Sequence, residues 1–145
     1  MTKGEISLKN FESGLACSQA VSLAFKEEIG IPEDILTNMS LGFGGGFGRQ
    51  RLVCGAVSGM VMAISALTAN GKSKIEVYKI IQDACAEFKA ELGTLICAEL
   101  LGENPSQKPT PNAESRTPEY YKKRPCSEIC RIAGDIAEKY IKLYK

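Results

Sequence analysis

Apolar residues recur at helical spacing along most of this chain, and the pattern predicts a series of helices joined by short turns. The clearest stretch begins at Cys17, where apolar residues follow the i, i+3, i+4, i+7, i+8 spacing of one helix face. This helix is predicted to end at Gly30. Further helices are predicted over residues 5–13, 32–41, 74–92, 95–101 and 126–144. No segment alternates with period two, so the sequence predicts an all-α fold, a compact helical bundle.

A central helix is predicted over residues 52–69, which carry no charged side chain. The stretch approaches transmembrane length, but its Gly, Ser and Thr residues make it a poor membrane span. Gly55 and Gly59 share one helix face, and small residues at this spacing allow a close helix crossing. We therefore expect a buried central helix and no membrane span.

Capping signals and proline content define the second half of the chain. Ser73 and Glu76 form a capping box for the helix over 74–92, and Gly93 follows its end. The stripe expected to face the core consists of Ile75, Tyr78, Ile81, Cys85, Phe88 and Leu92. Residues 102–125 are predicted to form a loop because they contain Pro105, Pro109, Pro111, Pro118 and Pro125. We expect one domain over residues 1–145, ending in the helix 126–144.

A glycine-rich loop, GFGGGFGR over residues 42–49, precedes the central helix. The loop lacks the Gly-Lys-Ser/Thr of a phosphate-binding loop, and no strand precedes it, so we find no nicotinamide or flavin signature. It is expected either to bind a small anion through backbone N–H groups and an arginine, or to form only a tight crossing between helices. The candidate ligand-binding residues are Gly44, Gly45, Gly46, Gly48 and Arg49.

Composition and charge exclude several classes of partner and catalytic residue. The net charge of +1 gives no reason to expect a nucleic-acid or acidic-membrane partner. Histidine is absent, which excludes a histidine metal ligand and an imidazole base. The N-terminus has no apolar signal region, so we expect a cytoplasmic protein. In that compartment cysteines are more often redox-active, metal-binding or buried than paired in structural disulfides.

The six cysteines fall into two groups by position. Four lie at or near predicted helix starts, where the helix dipole and free N–H groups stabilise a thiolate and lower its pKa. These are Cys17, Cys54, Cys97 and Cys126. Cys85 falls in mid-helix on an apolar stripe and is expected to fill the core, whereas Cys130 lies one turn beyond Cys126. If the four helix starts converge, they form one thiol site.

Three functions fit these residues. In the first, Cys54 attacks as a thiolate and one of Cys17, Cys97 or Cys126 resolves it as a disulfide, in an oxidoreductase whose redox partner the sequence does not identify. In the second, the same four thiols bind zinc or an iron–sulfur cluster, although only Cys126 and Cys130 have the close spacing common in zinc sites. In the third, the cysteines fill the core of a non-catalytic interaction protein whose central helix packs in a homodimer.

The cysteine pattern resembles that of the C_GCAxxG_C_C family of redox-active proteins, which is named for a Cys, then Cys-Gly-Ala-x-x-Gly, then two further Cys. The matching residues are Cys17, the segment CGAVSG at 54–59, Cys97 and Cys126, and the loop at 42–49 is similar to the family's glycine loop. The resemblance covers about residues 11–140. It implies a redox-active role in a bacterial or archaeal cytoplasm, and it is equally compatible with a bound metal or iron–sulfur centre.

Overall fold

The computed structural model describes residues 1–103 and 109–145, which contain ten helices and no strand. The fold is therefore all-α, as the sequence predicts. The helices are α1 (Lys3–Glu12), α2 (Cys17–Leu23), α3 (Lys26–Ile29), α4 (Glu33–Leu41), α5 (Gly44–Phe47), α6 (Gly55–Thr68), α7 (Lys74–Leu92), α8 (Cys97–Leu101), α9 (Pro118–Lys123) and α10 (Cys126–Tyr144).

The core lies between α1, α2, α6 and α10. Helix α1 packs on α10 and α2 packs on α6, while α10 also crosses α6. Helix α4 lies against α2, and α7 lies against α10 and α6. The largest fully buried side chains include Phe25, Phe88, Met60 and Ile64. Burying apolar side chains of this size stabilises the fold by about 1.5–3 kcal/mol each.

Glycines bring two of these helix pairs into close contact. A Cβ at Gly59 would lie 2.7 Å from the carbonyl oxygen of Ser18 on α2. A Cβ at Gly134 would lie 2.9 Å from the Cα of Gly4 on α1. The backbones of α6 and α10 therefore approach their neighbours too closely for any larger residue, which agrees with the close crossing predicted from the glycine spacing in the central helix.

Capping explains where several helices begin. Helix α1 begins at Lys3, ahead of the predicted residue 5, because Thr2 and Glu5 form a capping box. Helix α4 begins directly after Pro32, which lies at its N-cap. Helix α7 has the predicted bounds, and the Ser73 side chain accepts a hydrogen bond from the N–H of Glu76.

The helix predicted from Cys17 to Gly30 is divided into α2 and α3. At the break, the N–H groups of Ala24 and Phe25 donate to carbonyl groups three residues earlier, which tightens the last turn of α2. Phe25 is only 2% exposed and belongs to the core. We attribute the break to this tighter turn, which ends α2 beside the buried ring. Gly30 ends α3 in the left-handed conformation.

The predicted central helix begins later than residue 52 because residues 52–54 are extended. Val53 forms an isolated antiparallel bridge with Ile96, and the N–H of Cys54 donates to Leu95 O at 2.8 Å. This pairing uses backbone groups that a helix would need, so α6 starts at Gly55. No helix in the described ranges has the length and apolar character needed to cross a membrane.

The buried stripe of α7 differs from the predicted one in its first turns. Ile75 and Tyr78 were expected to face the core, but they are 81% and 60% exposed. Val77 in the same turns is half-buried, so the packed face of α7 is rotated about the helix axis from the predicted stripe, and Ile75 and Tyr78 lie outside it. The residues of α7 that are buried are Ile80, Ala84 and Phe88.

The segment predicted as a proline-rich loop contains one short helix, α9. The Thr117 side chain accepts a hydrogen bond from the N–H of Tyr120, and Pro118 occupies the first helical position. Proline is compatible with that position because the first N–H of a helix has no partner in the helix. Pro105 lies outside the described residues.

Candidate thiol site

One cavity of about 330 Å³ is lined by residues from four helix starts and from the glycine loop. Cysteine residues contribute to its wall from separate parts of the chain. These are Cys17, Cys54, Cys97 and Cys126. Three of them are the first residues of α2, α8 and α10, and Cys54 is the N-cap residue of α6. The four cysteines expected at helix starts therefore lie there and face the same cavity.

The bridge between Val53 and Ile96 positions two of the thiols. The N–H of Cys97 donates to Leu52 O at 2.6 Å, and the N–H of Cys54 donates to Leu95 O at 2.8 Å. Because side chains alternate along extended backbone, Cys54 and Cys97 project on the side opposite Val53 and Ile96. The bridge thus directs two thiols, which are distant in sequence, toward the cavity.

Cys17 reaches the site through the close approach of α2 and α6. A Cβ placed at Gly55 would collide with the Sγ of Cys17, and it would also lie 3.0 Å from Phe43 O. Glycine at this position therefore leaves the space that the sulfur occupies. Because Gly55 directly follows Cys54, the Cys17 thiol lies beside the Cys54 position.

Cys126 and Cys130 occupy different environments on α10. Cys126 lines the cavity and is partly exposed. Cys130 is fully buried, and its Sγ lies 4.0 Å from the backbone oxygen of Cys17. This favours Cys126 as the cavity thiol and leaves Cys130 in the core beneath it. Cys85 lies away from the cavity wall, half-buried on α7.

The glycine loop folds back on itself in a left-handed conformation. Gly45 and Gly46 have φ of 66° and 72°, and the carbonyl oxygens of both residues accept hydrogen bonds from the N–H groups of Arg51 and Leu52. A Cβ at Gly46 would collide with this backbone, so glycine is required where the loop closes. Gly46 itself is buried and does not form part of the cavity wall, unlike the other predicted loop residues. The loop residues that line the cavity are Gly44, Gly45, Gly48 and Arg49.

Three non-glycine residues in this loop have positive φ. Phe47, Arg49 and Arg51 have φ of 63°, 65° and 64°. The left-handed conformation costs such residues about 1–2 kcal/mol each. Strain of this kind persists where the surrounding structure enforces it, and it is concentrated at functional sites. Here it places two arginine side chains at the cavity.

An ion-pair network borders the cavity on the side of Cys97. The Nη1 of Arg51 lies 3.7 Å from the Sγ of Cys97, and its Nε pairs with Glu103 at 2.9 Å. Glu103 also pairs with Arg124 at 3.0 Å, and Arg124 pairs with Glu114. These charges hold the glycine loop, the end of α8 and the segment before α10 around the thiols.

The segment before α9 forms another wall of the cavity, and Arg116 attaches it to α1. The guanidinium of Arg116 stacks on the ring of Phe11, with 4.2 Å between the guanidinium carbon and the ring centroid. It also donates hydrogen bonds to Phe11 O at 3.0 Å and to Leu15 O at 3.1 Å. Glu114 and Tyr120, on either side of Arg116, line the cavity. The sequence interpretation missed this wall because prolines indicated only a loop.

Burial reverses the pKa shift that the sequence predicts for the site cysteines. Burial raises the pKa of Cys54 well above its ordinary value, and negative charge at Cys17 raises it further. The N–H groups of Ala56 and Val57 lower the pKa of Cys54, as expected at a helix start, but they do not outweigh burial. The expectation of an acidic thiol at Cys54 is therefore wrong.

Burial also raises the pKa of two other cavity thiols. Burial raises the pKa of Cys97, although the neighbouring guanidinium of Arg51 acts to lower it. Burial, with negative charge at Cys17 and Cys97, raises the pKa of Cys126 to about 12. These thiols are consequently protonated at neutral pH. Each must lose its proton before it can attack a disulfide.

Exposure predicts the order in which the thiols react. In the reduced, folded protein we expect iodoacetamide to label Cys17 before Cys54 and Cys130, because Cys17 is partly exposed whereas the other two are 6% and 0% exposed. Peptide mass spectrometry at successive times measures the order, and labelling in denaturant provides the control. Labelling of Cys54 at the rate of Cys17 would contradict the described burial.

The arrangement of donors does not match a ready site for a single metal ion. Within residues 1–103 and 109–145, no group of three or more Cys, Asp or Glu side chains has the arrangement that holds one ion. All six cysteines are free thiols. The thiols surround a cavity instead of meeting at one point.

Fold and cavity together define a small all-α protein with four thiols gathered at helix starts. Residues 15–140 match the family described as "Putative redox-active protein (C_GCAxxG_C_C)", and the chain belongs to this family. Its description thus agrees with the resemblance seen in the sequence. No curated protein matches the chain, and no solved structure does.

Proposed function

We propose that the protein transfers electrons by thiol–disulfide exchange, with Cys17 and Cys54 as the first reacting pair. The observation that carries this proposal is the position of the Cys17 sulfur against Gly55, directly beside Cys54, in a cavity that two further cysteines line. Adjacent thiols can form a disulfide when their Cα atoms come within about 7 Å.

The difference in exposure assigns the two roles. Cys17 is partly exposed and accessible from the cavity, so it makes the first attack. Cys54 is 6% exposed, and burial raises its pKa, so it acts as the resolving thiol. This reverses the role that the sequence suggests for Cys54. Once the first bond has formed, no charge at Cys17 opposes ionisation of Cys54.

The exchange balances with a disulfide-bearing redox partner as the oxidant. The Cys17 thiol loses its proton to solvent, attacks one partner sulfur and breaks the partner's S–S bond, and the displaced thiolate takes up a proton. Cys54 then loses its proton, attacks the Cys17 sulfur and displaces the second partner thiol. Two protein thiols become one disulfide, while the partner gains two electrons and two protons.

Cys97 and Cys126 complete the proposed site as a second pair. Burial and then negative charge at Cys17 and at Cys97 raise the pKa of Cys126, so Cys97 is one of the thiols electrostatically coupled to it. Arg51 beside Cys97 favours its thiolate relative to the other buried thiols. A disulfide formed at Cys17 and Cys54 can therefore pass to this pair by further exchange, with Cys97 attacking.

The test is controlled oxidation followed by disulfide mapping. Reduced protein is treated with oxidised glutathione without oxygen, then alkylated and digested, and we expect a peptide that links Cys17 to Cys54. Cys54→Ser should accumulate a glutathione adduct on Cys17, because the resolving thiol is absent. Cys85→Ser, in which a cysteine away from the cavity is changed, is the matched control and should oxidise like the parent protein. Oxidation confined to Cys85, or a parent protein that remains fully reduced, would reject the proposal.

An iron–sulfur cluster is the second candidate, and the charge of the cavity wall favours it. Cys17, Cys54, Cys97 and Cys126 would be the ligands, since iron–sulfur clusters are commonly held by four thiolates. The cavity wall carries Arg49, Arg51, Arg116 and Arg124 against Glu114, and Glu103 behind the wall pairs with two of these arginines, so positive charge is in excess. Positive charge of this kind stabilises thiolate ligands, and a bound cluster would supply one-electron transfer.

Measurements on protein prepared without oxygen distinguish thiol–disulfide exchange from cluster binding. Visible absorption with stoichiometric iron and sulfide, lost in Cys97→Ser but kept in Cys85→Ser, would support the cluster. A colourless protein free of iron that forms the Cys17–Cys54 disulfide would support thiol exchange.

A further inference from the structure

Arg49 has a buried hydrogen-bond donor without an acceptor. Its Nη1 is buried and has no partner among the described residues. An unsatisfied buried donor usually costs about 1–3 kcal/mol, and more when it is charged. The cost is added to the strain of a positive φ at the same residue. Arg49 as a residue lines the cavity, so a small shift of its guanidinium toward an acceptor bound there would satisfy this donor.

The other arginines of the cavity wall already have partners. Arg51 and Arg124 share Glu103, and Arg124 also pairs with Glu114. Arg116 donates to the backbone oxygens of Phe11 and Leu15 and to Tyr121. Arg49 makes no ion pair in the described part of the chain. It is therefore the arginine whose charge and donor remain available to a ligand.

The Arg49 side chain crosses the glycine loop beside that of Arg51. A Cβ at Gly45 would lie 2.9 Å from the Cγ of Arg49 and 3.5 Å from the Nη1 of Arg51. The side chains of both arginines therefore pass the same glycine, and Arg51 continues to the Sγ of Cys97. A group bound by Arg49 would share the cavity with the reactive cysteines.

We propose that the cavity contains a subsite for a small oxyanion, with Arg49 as its principal ligand-binding residue. A guanidinium presents several N–H groups in one plane, and this geometry matches the oxygen atoms of phosphate-like, sulfate-like and carboxylate groups. A cavity of about 330 Å³ has room for a small molecule. The subsite does not depend on the thiols reacting, so it stands or fails independently of the proposed exchange.

The test uses sulfate as the probe, since it is a tetrahedral anion that thiols do not reduce under these conditions. Isothermal titration calorimetry of the reduced protein is carried out with sodium sulfate, with sodium chloride at the same ionic strength as the reference. We expect saturable sulfate binding that Arg49→Gln weakens at least tenfold. Arg49→Lys should retain part of the affinity, because it keeps the charge and loses the planar group.

The matched control is Arg131→Gln, which removes an arginine on α10 that pairs with Glu128 and Asp135 away from the cavity. It should bind sulfate like the parent protein. If Arg49→Gln fails to fold, protection of Arg49 from phenylglyoxal by sulfate, measured in the parent protein by peptide mass spectrometry, tests the same contact.

Three outcomes would overturn the subsite. The first is a parent protein that binds sulfate no better than chloride, and the second is an Arg49→Gln variant with unchanged affinity. The third is an equal loss in Arg131→Gln, which would indicate only general charge attraction. Replacing the four cavity cysteines with serine should leave sulfate binding in place, and this variant separates the subsite from the thiol chemistry.

Discussion

Gly59→Leu lowers the stability of the protein by at least about 3 kcal/mol, an effect at the upper end of those for overpacked cores. The new side chain begins at a Cβ that lies 2.7 Å from Ser18 O, 3.0 Å from the Cβ of Val21 and 3.3 Å from the N of Ser22. Two of these atoms belong to the α2 backbone, which cannot rotate away as a flexible side chain can. The helices α2 and α6 must separate, and the contact between Cys17 and Gly55 opens with them.

Gly42→Ala is the matched control for this substitution. Gly42 has right-handed φ and ψ of −62° and −19°, and a Cβ there would meet nothing within 4 Å. Alanine at such a position is neutral, or stabilises the fold by up to about 1 kcal/mol, because it restricts the unfolded chain. Thermal and urea unfolding monitored by circular dichroism measure both variants. A Gly59→Leu midpoint equal to that of the parent would show that the α2–α6 face is open.

The reduced protein loses stability steeply in alkaline solution, and Cys126 accounts for a measurable part of the loss. The pKa of this thiol is raised from 9.0 to about 12, mainly by burial and then by negative charge at Cys17 and Cys97, against the lowering effects of Arg124 and Arg116. Between these two pKa values the unfolded thiol is ionised while the folded thiol keeps its proton. The unfolded state then binds fewer protons, so the free energy of unfolding falls as the pH rises, by about 1.4 kcal/mol per pH unit for this one group.

Urea unfolding of the reduced protein at several pH values between about 8 and 11 measures this slope. Cys126→Ser should show a shallower decline than the parent, by about 1.4 kcal/mol per pH unit above pH 9. Lysine and tyrosine residues titrate in the same range, but they do so in both proteins and cancel in the comparison. Parallel curves for the two proteins would mean that Cys126 ionises equally easily in both states.

Much of the fold was predictable because its helices carry local end signals. The N-cap at Ser73, the left-handed glycines after α3 and α7, and the proline before α4 all act within a few residues of the boundary that they define. The sequence predictions were wrong where tertiary contacts, and not local signals, determine the structure. Residues 52–54 are extended because they pair with 95–97, and Ile75 is exposed because the face of α7 that packs on the core carries Ile80, Ala84 and Phe88 instead.

The site was less predictable than the fold. The sequence predicted that the four cysteines lie at helix starts. Their shared cavity, however, depends on the contact at Gly55 and on the pairing of Val53 with Ile96. The sign of the pKa shift at Cys54 was wrong because a helix start is visible in sequence, whereas burial is not. Arg116 gave no signal, since its partners on α1 are distant in the chain.

The pairing of residues 52–54 with 95–97 has a consequence for recognising related sequences. The relative position of Cys54 and Cys97 is set by hydrogen bonds between their own segments, so the length of the intervening chain does not determine it. The first turns of α7 carry the exposed Ile75 and Tyr78, and a change of length in that part of the chain does not touch the paired segments. A search that demands a fixed gap between these two cysteines would therefore reject chains with the same cavity, and the gap should be allowed to vary.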